Sequence, residues 1–112
     1  MLLSHGVIMS QEKVKLFEKE IKDFLSQFDF VDDVEIPRAL IIDNELDSFD
    51  IVITLRKHID HNIIFKLYTS MQNFLKNAQY RIFSFEIHNV IISSLTTKVV
   101  PQYIIIGVER NE

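Results

Sequence analysis

Residues 34–56 read VEIPRALIIDNELDSFDIVITLR, and their pattern decides the fold. Val34, Ile36, Leu40 and Ile42 fall in step, as in an extended segment. The polar run from Asp43 to Ser48 reads as a turn. Phe49, Ile51, Ile53 and Leu55 then alternate with Asp50, Val52, Thr54 and Arg56, the signature of a half-buried strand. Two such runs joined by a polar turn make a hairpin. Pro37 has no N–H to give to a ladder, so the first strand is expected at an edge or to start late.

Helical spacing lies on both sides of this hairpin. Upstream, Ser10 reads as a cap, and the helix it opens runs to Phe28. Val14, Phe17, Ile21, Phe24, Leu25 and Phe28 recur along it at steps of three and four. Glu18 and Lys22 add a favourable pair four residues apart. Residues 1–9 are expected as a tail ahead of a single domain spanning 10–112. They lack a basic leader, and Ser4, His5 and Gly6 break their apolar run, so neither a signal peptide nor a membrane span is read there. Downstream, Asp60 or Asn62 caps a second helix reaching Asn77. Its apolar face is Ile64, Leu67, Tyr68, Met71, Phe74 and Leu75. A third strand follows from about Tyr80 to Ile92, with Phe83, Phe85 and Ile87 on one side and Ser84, Glu86 and His88 on the other. The fourth, from about Gln102 to Glu109, is apolar without alternation from Tyr103 to Ile106, as in a strand covered on both faces.

The order is αββαββ. The expected class is α+β, a two-layer sandwich of one four-stranded antiparallel sheet with two helices on one face. Carrying the last strand to the front gives βαββαβ, so a circularly permuted ferredoxin-like order is expected. The alternative is a more open sheet with the last strand at an edge or exchanged between subunits. With only two glycines and two prolines, long elements and short loops follow.

Composition bounds the function. The chain has 112 residues, 47% of them apolar, enough for the core of one domain. It has no cysteine, which removes disulfide scaffolds, thiolate metal sites and cysteine nucleophiles, and it fits a reducing, cytoplasmic setting. A net charge of −4 disfavours duplex nucleic acid as a partner.

Three constellations carry chemistry. His58, Asp60 and His61 offer two imidazoles and a carboxylate within four residues, donors that suit a divalent metal. A closed site needs further ligands, which His88 or Glu86 could supply; otherwise Asp60 is simply a helix cap. The same loop reads as an anion site, because Arg56, Lys57, His58 and His61 precede or open helix two and Lys66 lies a turn on. No glycine lies nearby, which excludes a P-loop. The stretch from Asp29 to Asp50 holds eight carboxylates against Arg38. Asp43, Glu45 and Asp47 begin like a calcium loop, but Ser48 and Thr54 stand where the glycine and the bidentate glutamate belong. Downstream of residue 50 bases outnumber acids, so the charge is lopsided and can steer association.

No catalytic signature is complete, and no cofactor is implied. The sequence therefore points to a non-enzymatic protein-interaction module, expected as a homodimer that pairs its exposed strand edges. One alternative is a small ligand- or metal-binding protein, or enzyme, working through the 56–61 loop. Another is single-stranded RNA binding on the sheet through Phe83 and Phe85.

Overall fold

A computed structural model describes residues 2–93 and 98–111, with side chains over 11–89 and 102–111. The elements are α1 (Leu2–Leu25), β1 (Val31–Ile42), β2 (Glu45–Leu55), α2 (His61–Asn77), β3 (Tyr80–Ser93) and β4 (Lys98–Arg110). The strands form one sheet in the order β1-β2-β4-β3, every neighbouring pair antiparallel. The chain is therefore an α+β fold with two helices laid on a four-stranded sheet.

Helix α1 begins at Leu2, so Ser10 lies inside it instead of capping it, and the helix runs through residues expected as a tail. Residues 2–9 contain no proline, and a single glycine inside a helix costs only about 1 kcal/mol relative to alanine. The helix stops at Leu25, short of Phe28. There the Ser26 hydroxyl donates to the carbonyl of Asp23 at 2.6 Å and the Gln27 amide donates to that of Phe24 at 2.9 Å. These side chains satisfy carbonyls that a helix end leaves unpaired. Helix α2 begins at His61. Of the two expected caps, Asp60 is the one used: its carboxylate accepts from the Ile63 N–H at 3.0 Å.

The β1–β2 turn is tighter than the polar run suggested. Ile42 pairs with Glu45, leaving Asp43 and Asn44 as a two-residue loop with φ of 50° and 65°. Both residue types tolerate the left-handed conformation that such hairpin loops need. β1 is an edge strand, as Pro37 requires.

One face of the sheet carries the core. Val34, Ile36, Phe49, Ile51, Ile53, Leu55, Ile104, Ile106 and Val108 are buried there against Ile21 and Leu25 of α1 and Leu67, Met71 and Leu75 of α2. Full burial of each such side chain stabilises the fold by roughly 1.5–3 kcal/mol. Aromatic rings tie the helices to each other and to the sheet: Phe24 and Phe74 lie 4.6 Å apart, and Phe17 meets Phe49 of β2 edge-on at 5.4 Å. Tyr80 lies among them, 5.2 Å from Phe49, and its hydroxyl donates to the Leu46 carbonyl at 2.7 Å. Burial raises the Tyr80 phenol above its ordinary range.

Two irregularities overturn the simple alternation. β1 has an extra residue between Glu35 and Arg38, at Pro37, relative to β2. The phase flips there. Val34 and Ile36 are buried, but Ala39 and Ile41 then turn to the core, while Leu40 and Ile42 are exposed. The bulge also frees the Ile36 N–H, which donates to the Glu18 carboxylate of α1 at 2.9 Å. In β3 the register jumps between Ile82 and Ser84, with Phe83 the extra residue. Phe85 joins the core and meets Tyr68 edge-on at 5.0 Å, whereas Phe83 does not share its side.

β4 lies inside the sheet between β2 and β3, neither at an edge nor exchanged. Only one of its faces is covered by helices. Gln102, Ile104, Ile106 and Val108 are buried, whereas Tyr103 and Ile105 on the other face are half-buried. The apolar run reflects this second, uncovered face.

Candidate functional site

The loop from Arg56 to Asp60 joins the end of β2 to α2. Arg56 turns away from the helix: its Nε donates to the Val31 carbonyl at 3.2 Å, and its guanidinium lies 3.7 Å from the Asp32 carboxylate. Lys57, His61 and Lys66 are exposed. The Asp60 carboxylate already sits on the N-terminal N–H groups of α2, where its charge complements the helix dipole. It thus occupies the position that a bound anion would take. Of the five anion-site residues, Arg56 is thus drawn toward β1 and His58 toward Gln102.

Two of the three metal-site residues are likewise committed elsewhere. Asp60 serves the cap, and His58 meets Gln102 at 3.2 Å through its Nε2. Among the described residues, no three histidine, aspartate or glutamate side chains gather around one point.

Gln102 is the residue that sequence reasoning missed. It is buried in phase with Ile104, Ile106 and Val108, on the core face of β4. Its Oε1 accepts from the Ile59 N–H at 3.0 Å and its Nε2 reaches His58. One amide therefore clasps the loop to the sheet. The signal was present as a glutamine in step with three aliphatic residues.

Four of the eight carboxylates from Asp29 to Asp50 pair with bases across the fold: Asp32, Asp33, Glu45 and Asp50. Lys22 lies 3.4 Å from Asp33 and Arg38 lies 3.2 Å from Asp50; Arg110 pairs with Glu45, and the Lys13 ammonium donates to the Asn44 carbonyl. Such surface pairs are each worth about 0–1 kcal/mol, so they orient the elements more than they stabilise them. A groove of about 280 Å³ lies beside the Lys22–Asp33 and Arg56–Asp32 pairs, lined also by Ser26, Phe28 and Asp29 among others. It mixes both signs of charge and falls just below the usual range for small-molecule pockets, about 300–1,000 Å³.

The uncovered sheet face is the broadest unassigned surface. Val52, Thr54, Tyr103 and Ile105 form its middle. His88 and Tyr103 stack with rings 4.9 Å apart and 7° from parallel. The tip of the Phe83 ring lies over Gly107: a Cβ built there would meet ring atoms at 2.8 and 3.0 Å. Glycine at 107 therefore makes the seat for Phe83. Phe83 remains 58% exposed; Ile87 on the same strand is 41% exposed but lies on the opposite face, paired with Ile104. Of the two phenylalanines expected as base-stacking residues, only Phe83 reaches this face.

No known protein family matches the sequence, and no curated protein matches it. Among the described residues, no helix is long and apolar enough to cross a membrane.

Proposed function

We propose that the chain is a self-associating protein-interaction module, a docking domain without catalytic chemistry that works as a homodimer. One observation carries this reading. β3 is a free edge of the sheet, and it holds Phe83 and Ile87 as large, exposed apolar side chains. An edge of this kind calls for a covering partner. The cysteine-free composition supports a reducing, cytoplasmic setting. The strand order, with β4 taken as the first strand, supports a permuted ferredoxin-like topology. Light scattering tests the reading. The expected result is a species of twice the 13.2 kDa chain mass; a chain that stays at 13.2 kDa at high micromolar concentration overturns it.

A second reading has its own support. Phe83 and the His88–Tyr103 stack lie on the uncovered sheet face, as aromatic platforms for single-stranded RNA do. It predicts retention on single-stranded RNA that weakens steeply with salt. Absence of retention at low salt removes it.

A further inference from the structure

The sheet has two free edges, β1 and β3, and they are unequal. β1 is broken by register shifts into regular runs of no more than three residues, carries Pro37, and has its Ile36 N–H taken by Glu18. These are the devices that keep an edge from pairing. β3 also shifts register three times, but between the first two shifts it holds a regular run of five residues from Ser84 to His88, without proline.

Two charges on β3 also bear on the register of such pairing: Arg81, which pairs with Glu109 across the ladder, and Glu86, 3.2 Å from His88, are both exposed on the sheet. The extra residue at Phe83 puts Arg81 and Glu86 on the same face, opposite Glu109 and Ile105 of β4. Counted along the ladder, each stands two pairing steps from Ser84, one on either side. An antiparallel copy centred on Ser84 therefore sets Glu86 of each chain against Arg81 of the other, twice. A register centred on Glu86 would oppose two carboxylates, which is unfavourable. Along that junction Phe83 lies on the uncovered face, over Gly107, and Ile87, paired with Ile104, lies on the helix-covered face.

We propose that β3 pairs antiparallel with β3 of a second copy about a twofold axis near Ser84, joining two sheets into one. This assignment rests on the self-association proposed above and names the surface that carries it. The interface is isologous, as a closed dimer requires.

The absence of cysteine makes the test direct. Ser84→Cys supplies the sole thiol, and residues facing one another across antiparallel strands lie about 4.5–5.5 Å apart at Cα, within disulfide reach. Under mild oxidation Ser84→Cys is expected to form a covalent dimer, while Leu40→Cys on β1 stays a single chain on a non-reducing gel. A second arm does not depend on residue 84. Glu86→Arg is expected to raise the dimer dissociation constant roughly tenfold, and adding Arg81→Glu to restore it, with circular dichroism reporting the fold. A dimer that crosslinks through Leu40→Cys, or one unmoved by Glu86→Arg, overturns the β3 assignment and leaves self-association standing. A monomeric parent chain overturns both.

Discussion

Gln102 shows how much one buried amide can decide. It stands where the β4 pattern calls for an aliphatic residue, and its acceptor satisfies the Ile59 N–H inside the fold. Gln102→Leu fits the apolar surroundings but leaves that N–H without a partner. The cost of a buried, unsatisfied donor is about 1–3 kcal/mol, so the urea midpoint is expected to fall with the slope unchanged. A midpoint equal to the parent's would show that the clasp is idle. Tyr80 is the second residue with a measurable consequence. Burial raises its pKa, so the folded chain holds the phenol neutral while the unfolded chain ionises near pH 10. Its contribution to stability is therefore complete below the unfolded pKa and is lost as pH rises through the folded one. Urea titrations from pH 8 to pH 11 are expected to show a shallower loss of stability in Tyr80→Phe than in the parent. Identical profiles would mean that the phenol plays no part.

At the scale of elements, the sequence revealed periodicity well and bulges poorly. β2 pairs without a break from Ser48 to Thr54 along β4, and its alternation was readable because nothing interrupts it. The apolar face of α2 was equally plain, since Leu67, Met71 and Leu75 repeat at helical steps and all are buried. The extra residues at Pro37 and Phe83 reverse the faces of everything beyond them, and alternation counted from one end cannot register that. Proline announced an edge without announcing the phase change. In the candidate loop, the residue types were visible but their commitments were not. Arg56 pairs with Asp32 and His58 with Gln102, partners distant in sequence that only the packed sheet brings near. The end of α2 offers a test of local reading. Gln79 follows the C-cap Ala78 with φ of 68°, a left-handed conformation that glycine adopts without strain. Gln79→Gly is expected to stabilise the chain by about 0.5–1 kcal/mol, seen as a higher melting temperature. A lower one would place the value of Gln79 in its side chain.

The whole molecule is elongated, with a radius of gyration of 15.7 Å against roughly 13 Å for a compact chain of this size. The β3–β4 ladder contributes to this: it continues to Ser93 and Lys98, whereas β2 pairs with β4 only as far as Tyr103. The proposed partnership through β3 would turn two such bodies into one longer sheet, whose remaining rims would both be β1. Glu18 then acquires a meaning beyond its single hydrogen bond to Ile36. It is a stopper, and with Pro37 beside it each rim is a dead end. In the proposed dimer, addition would happen once, and the product would be a discrete pair instead of a growing filament. Removing the stopper with Glu18→Ala is expected to yield species larger than a dimer, visible as extra sedimenting boundaries or turbidity at high concentration. A variant that remains a clean pair would assign the whole of that termination to Pro37 and the bulge around it.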